Sequence, residues 1–394
     1  MKERECRKAS LFDAMIPITC LILFLSLGVL VYGSSPHVPL IGAAAVAGLV
    51  AVYRLGFKWK ELELSMFNSI KMAMQAILII IIIGVLIGTW IVSGVVPCMI
   101  YWGLKILSPN VFLVASTLVC AIVSLATGSS WSTMGTVGVA LLGIGQSLGM
   151  PVGLIVGFNT LSPVLLLAPA IVIGLVVFKV PAIPGLIVGA VLGVLFAVVF
   201  QGESMNTILD AAQNGYVSST QIQEVDALLS KGGIMNMMST VSLTICALSL
   251  GGILEKTGML EVVASSLLKL AKGVFGTVLC TMVTCTITNI IAGEQYLSIV
   301  IPGRMYNKEY KKRGIHPKML SRALEDSGTL TSPLVPWNTC GAYITATLGV
   351  SALTYGPYAL LNIINPIVSL VLIACKFKIA RIEDEPETCL NFDI

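Results

Sequence analysis

EDSGTLTSPLVPWNTCG (325–341) sets two adjacent acids, Glu325 and Asp326, at the head of a stretch that Gly328, Pro333 and Pro336 keep from being one continuous helix. Apolar sequence lies beyond both ends. A carboxylate near the middle of a bilayer is costly unless a cation, a proton or a water-filled cavity neutralises it. Unwound backbone at that depth is tolerated only where protein or a cavity satisfies it. The stretch therefore reads as a broken membrane helix carrying a charged site, and the chain as one that moves ions. Hydroxyls from Ser327, Thr329, Thr331 and Ser332, with the amide of Asn338, suit a Na⁺ or Li⁺ site, which wants oxygen ligands of low total charge. A proton site needs a carboxylate whose affinity is raised by burial or by a like-charged neighbour. One acid pair can serve both, because cation and proton compete for the same charge. The alternative is an ordinary helix-end ion pair between one acid and Arg322, four residues before Asp326.

Composition agrees. Charged residues make up 11% of the chain and hydrophobic residues 56%, against roughly 25% charged in a soluble domain. Apolar runs from 15–31 to 354–375 predict about ten crossings, the shorter runs being half-spans. The predicted fold class is an all-α membrane protein, a polytopic bundle of transmembrane helices. The first apolar run follows a basic N-terminus, but Pro17, its length and the lack of a small-x-small cleavage site make it a retained helix.

Basic residues give an orientation. Lys2, Arg4, Arg7 and Lys8 precede the first run; Arg54, Lys58 and Lys60 follow the second; Arg304 to Lys318 is the strongest basic stretch; Lys376, Lys378 and Arg381 follow the last run. The positive-inside rule puts all four on the cytoplasmic side of the cell membrane, with both termini. The acidic 201–233 connection is then external. The predicted division is a membrane repeat over 1–200, an extramembrane connection over 201–233, and a second repeat with a cytoplasmic tail over 234–394. The net charge of +4 is a topology signal and makes no case for nucleic acid. No nucleophile–base set, phosphate-cradling glycine loop, CxxC pair or metal-ligand spacing occurs, so neither an enzyme, a cofactor nor a structural metal is expected. His37 and His316 sit beside prolines in polar connections. Glu255, next to Lys256, reads as an interfacial acid.

Two further interruptions stand out. TGSSW (127–131) offers oxygens from Thr127, Ser129 and Ser130, with Gly128 to release the helix; its alternative is a surface loop. TNIIAGEQY (288–296) brings Asn289, Glu294 and Gln295 into an apolar span with no cation before Arg304. That suits coordination of a hard cation, the alternative being an amide pair bonding across helices. Each interruption ends an apolar run in Thr and resumes as an apolar helix. This weak self-similarity fits a transporter of two inverted halves.

The strings TGSSWSTMGTVGVALLGIG (127–145), FKVPAIPG (178–185), GGILEKTGMLEV (251–262), EQYLSIVIPGRM (294–305) and SRALEDSGTLTSPLVPWNTCGAY (321–343) resemble the NhaC-type Na⁺/H⁺ antiporter family over nearly the whole chain. The resemblance implies antiport of Na⁺ against H⁺ in a fold of inverted repeats, with malate and lactate coupled in some relatives. Glu325 and Asp326 lead as competing cation and proton sites, supported by Asn289, Glu294, Thr127, Ser129, Ser130, Ser327, Thr329, Thr331 and Asn338. The family also carries a first-half acidic motif, a Gly-Asp pair and then a Ser-Pro-Leu-Ser-Asp-Thr-Thr run. Here GLIVG (153–157) passes straight into FNTLSPVLLLAP (158–169), and Thr160 to Pro163 echo TLTSP without a carboxylate. Several dozen residues are missing by this reading. Two rivals follow: a Na⁺- or H⁺-coupled carboxylate exchanger in which Arg304 or Arg322 meets an organic acid, and a transport-deficient protein with a structural or regulatory role. The expected partners are Na⁺, H⁺ and the lipid bilayer, with an organic acid and a homodimer left open.

Overall fold

A computed structural model describes residues 7–106, 109–127, 133–138, 141, 144, 162–178, 180–219, 226, 229–377 and 379–382. The helices are α1 (Leu11–Leu25), α2 (His37–Val50), α3 (Trp59–Met72), α4 (Met74–Val92), α5 (Val95–Ile106), α6 (Pro109–Thr127), α7 (Leu167–Val177), α8 (Ala182–Phe196), α9 (Met205–Asn214), α10 (Ile234–Lys256), α11 (Met259–Leu268), α12 (Gly273–Ala292), α13 (Gln295–Lys312), α14 (Pro317–Leu324), α15 (Thr339–Leu348) and α16 (Leu360–Ala374). Among the described residues no β-strand occurs, only a bridge between Ile315 and Arg381. Among the described residues, six helical stretches are long and apolar enough to cross a membrane, or seven when Ala352–Tyr358 and Leu360–Ala374, bent by 55°, count as one broken span. The expectation of about ten crossings exceeds this. The described parts of the runs near 111–126 and 161–178 form shorter apolar helices, Val114–Ser124 and Pro163–Leu175, and most of 133–149 lies outside the described residues.

The chain divides into two compact units, one of Met1–Ala73, Ser242–Ala342 and Val350–Ile394, the other of Met74–Val241 and Tyr343–Gly349. In the first, α1 packs on α2 through Ala14, Ile18, Leu21 and Leu25 against Leu40, Ala43, Ala47 and Ala51. The alanines let the backbones approach closely, which is how apolar helices gain packing in lipid. Ser10 caps α1 in a reciprocal box with Asp13. Asp13 is fully buried and paired with both Arg7 and Arg54, Arg54 Nε lying 2.7 Å from Oδ1. The Arg7 N–H donates to the Leu55 carbonyl at 2.9 Å. The first two basic clusters therefore meet at one end of the α1–α2 pair. Likewise the His316 N–H donates to the Ala380 carbonyl at 3.1 Å, joining the third basic cluster to the fourth.

In the second unit α4 meets α8 at Gly189 and Gly193. A Cβ on Gly189 would come within 2.8 Å of Leu86 and Val172, and the Trp90 indole donates to the Gly189 carbonyl at 2.8 Å. Glycine removes the side chain where two helices cross, so the glycine strings serve packing here. The 201–233 connection includes α9, capped by Ser204, with Ile208 and Ala211 buried beside Val92 and Ala197.

Candidate functional site

Helix α12 carries threonines on one stripe. Thr277, Thr281, Thr284 and Thr288 each return their hydroxyl to the carbonyl four residues back, at 2.7–2.8 Å. The phenols of Tyr310 and Tyr306 close on Thr281 and Thr284 at 3.2 and 2.8 Å. The stripe leads to Asn289, which is fully buried. The helix ends at Gly293, whose φ of 64° is left-handed and whose missing Cβ would stand 2.7 Å from Ala247. Glu294 then caps α13, its Oε1 accepting the Tyr296 N–H at 3.3 Å. Its other oxygen, Oε2, is buried and receives no hydrogen bond among the described residues; the Thr339 hydroxyl, beside the carboxylate, donates to Asn338 Oδ1 at 3.4 Å.

The 325–341 segment breaks at its prolines, whereas Gly328, expected to interrupt the helix, lies inside a helical run that continues to Thr331. A widened helical turn over Glu325–Thr329 follows α14, a tight turn over Ser332–Leu334 comes next, and helix resumes only at Thr339. Asn289 donates to the Gly328 carbonyl at 2.7 Å and to Thr331 Oγ1 at 2.9 Å. Asn338 donates to the Asn289 side-chain oxygen at 3.1 Å, and accepts from Ser332 Oγ at 2.6 Å and the Cys340 N–H at 3.1 Å. The Trp337 indole donates to the Ile290 carbonyl at 2.6 Å, and the Thr339 N–H to the Gly293 carbonyl at 3.0 Å. The two interruptions that the sequence shows separately thus meet, and two buried asparagines tie them together. Satisfied polar networks of this kind fix one arrangement of backbone.

The acids fall in different settings. Glu325 is exposed and accepts the Thr329 hydroxyl. Asp326 is partly buried, 3.3 Å from Arg322 Nε, and accepts from Asn365 Nδ2 at 2.8 Å. Ser327 and Thr331 return their hydroxyls to the Ala323 and Ser327 carbonyls at 2.6 and 2.5 Å. Arg304 is exposed, with Glu255 within reach of its charge. Ser129 and Ser130 lie outside the described residues, as does the side chain of Thr127, and so does the expected junction at Gly157 and Phe158. A cavity of about 310 Å³ opens beside Glu294, lined also by Ser69, Met72, Ala73, Leu248 and Tyr296.

Sequence reasoning missed several groups. Asn362 and Asn365, two amides three apart in an apolar run, hold the broken segment through the Leu330 carbonyl at 2.8 Å and through Asp326. That spacing on one helix face was the available signal. Tyr355 donates to the Pro333 carbonyl, and nothing in its surroundings announces the contact. Chemically, the amides and hydroxyls of the junction are already bonded to one another, while Glu294 keeps an oxygen free. A buried carboxylate oxygen without a partner calls for a cation or a proton.

The family model described as the Na⁺/H⁺ antiporter family matches residues 156–377. The Na⁺/H⁺ antiporter NhaC of Alkalihalophilus pseudofirmus is 29% identical, across 93% of this chain and 96% of the relative. The arginine/ornithine antiporter ArcD of Halobacterium salinarum is 31% identical, across 97% and 96%. The malate-2H⁺/Na⁺-lactate antiporter of Bacillus subtilis is 30% identical, across 92% and 94%. The first of these alignments runs over 443 positions while taking in 93% of a 394-residue chain, so that relative has dozens of residues with no counterpart here.

Proposed function

Because this chain belongs to the Na⁺/H⁺ antiporter family, we propose that it exchanges Na⁺ for H⁺ across the cell membrane where α12, α13 and the 325–341 segment meet, with Glu294 as the group that the two ions occupy in turn. The observation that carries this reading is the buried Oε2 of Glu294, which receives no hydrogen bond among the described residues, at the break between α12 and α13. Na⁺ satisfies the ionised carboxylate and H⁺ satisfies it by neutralisation, so loading one expels the other. Asn289 and Asn338 hold the two broken segments in register, and Thr339 stands beside the carboxylate. Asp326 already has Arg322 as a counter-charge and anchors α16 through Asn365. The carboxylate exchanger is less well supported, since Arg322 is engaged and Arg304 is exposed near Glu255.

Inverted vesicles holding a pH gradient and containing the chain are expected to lose that gradient when Na⁺ is added without any organic acid. A response that requires malate or lactate would favour the carboxylate exchanger. No response from correctly inserted protein would favour the transport-deficient reading, which the missing residues support.

The paired basic clusters support cytoplasmic termini. A single cysteine introduced at Lys311 is expected to react with an impermeant maleimide from the cytoplasmic side alone, and one at Glu203 from the outside alone. Labelling of both from one side would overturn the orientation.

A further inference from the structure

Resting on the assignment of Glu294 as the site that Na⁺ and H⁺ share, we infer that Thr339 is a second ligand of the same ion, its oxygen meeting the cation beside Glu294 Oε2 while its proton rests on Asn338. Three consecutive residues lie along the break between α12 and α13. Asn338 Nδ2 donates to Asn289 Oδ1 at 3.1 Å, the Thr339 N–H donates to the Gly293 carbonyl at 3.0 Å, and Cys340 Sγ donates to Gln295 Oε1 at 2.9 Å. Thr339, only 2% exposed, is thereby held with its hydroxyl beside the Glu294 carboxylate.

The direction of the surrounding hydrogen bonds fixes what that hydroxyl offers. Asn289 Nδ2 donates to the Gly328 carbonyl and to Thr331 Oγ1, so Asn289 Oδ1 is left to accept. Asn338 must turn its Nδ2 to that oxygen, which leaves its own Oδ1 to accept from Thr339 at 3.4 Å. A threonine hydroxyl that donates in this direction keeps two lone pairs for another partner. Glu294 Oε2 likewise receives no hydrogen bond among the described residues. Two electron-rich oxygens buried side by side repel unless a cation or a proton stands between them. Both ions fit that place. Na⁺ takes a lone pair from each oxygen, and a protonated Glu294 donates its O–H to Thr339 Oγ1. Asn338 Oδ1 holds the Thr339 proton loosely, because Ser332 Oγ at 2.6 Å and the Cys340 N–H at 3.1 Å already fill its two lone pairs. Once the ion has left a charged Glu294, the Thr339 proton can swing to Oε2 and cover it.

The test is equilibrium binding of radiolabelled Na⁺ to the purified full chain in detergent, with Li⁺ as competitor, for Thr339→Val, Thr339→Ser and Glu294→Gln. Valine keeps the volume of threonine and loses its oxygen. Thr339→Val is expected to lower Na⁺ affinity roughly tenfold, and the pH dependence of binding is expected to persist because Glu294 is intact. Thr339→Ser, which keeps the hydroxyl, is expected to bind Na⁺ nearly as the parent chain does. A group that touches the ion also sets the preference between ions, so the ratio of Li⁺ to Na⁺ affinity is expected to change in Thr339→Val. Its thermal unfolding without Na⁺ is expected to stay near the parent's, since Asn338 Oδ1 keeps two donors. Equal losses of Na⁺ and Li⁺ affinity, with unfolding at a lower temperature, would mark Thr339 as structural and overturn the inference. A Thr339→Ser variant that binds no better than Thr339→Val would overturn it as well. Na⁺ binding that Glu294→Gln destroys and Thr339→Val leaves unchanged would overturn it and leave the Glu294 assignment standing. Binding that neither substitution weakens would overturn both.

Discussion

Glu294→Gln is expected to abolish Na⁺-driven proton movement while insertion and yield stay near those of the parent chain. The amide keeps the shape of the side chain and its bond to the Tyr296 N–H, and loses both the charge that Na⁺ needs and the proton that exchanges for it. A charged hydrogen-bonding group contributes about 1.5–3 kcal/mol, so Na⁺ affinity is expected to fall by roughly 100-fold at the upper end of that range. Transport assays on matched amounts of inserted protein read the first effect, and equilibrium Na⁺ binding reads the second. Asp326→Asn should do less. Arg322 already compensates that carboxylate, and an asparagine oxygen can still accept from Asn365. Equal losses from the two substitutions would return the acid pair at 325–326 to the centre of the site.

Asn289→Ala is expected to give the largest loss of stability of any substitution at the junction. It strips a partner from the Gly328 carbonyl, from Thr331 and from Asn338 at once, in a position with no access to water. Each buried polar group left unpaired costs about 1–3 kcal/mol. A thermal unfolding transition lowered by many degrees, with Na⁺ affinity reduced alongside, is the expected outcome. Asn338→Ala should have a similar effect, and the double variant should fall short of the sum, because the two side chains share a bond. Additive losses would mean that the asparagines act independently and do not clamp the broken segments together.

Much of this was legible in the sequence, and the limits have physical causes. Pro333 and Pro336 announced a break, and the helix does stop there, while Gly328 is accommodated inside a widened turn and does not stop it. Asn289 and Glu294 announced themselves as polar groups in an apolar span. What periodicity could not show is which acid faces where. Glu325 turns outward, while Asp326 meets Arg322 at the regular four-residue spacing, the pairing that the sequence offered as the alternative to an ion site. Nor could local sequence pair Asp326 with Asn365 or Asn289 with Asn338, since these contacts join distant segments. Asp13 went unnoticed for the same reason, because its second arginine follows a different helix. The cavity beside Glu294 is assembled from three separate stretches of chain and has no periodic signature at all.

The competition between Na⁺ and H⁺ for Glu294 is tested most directly by equilibrium Na⁺ binding to the purified chain across a range of pH. One carboxylate shared by both ions makes apparent Na⁺ affinity fall about tenfold for each pH unit below the carboxylate's pKa, and level off above it. In Glu294→Gln the remaining weak binding is expected to be flat with pH. A variant that keeps the parent's slope would contradict the account and place the exchanging proton on another group.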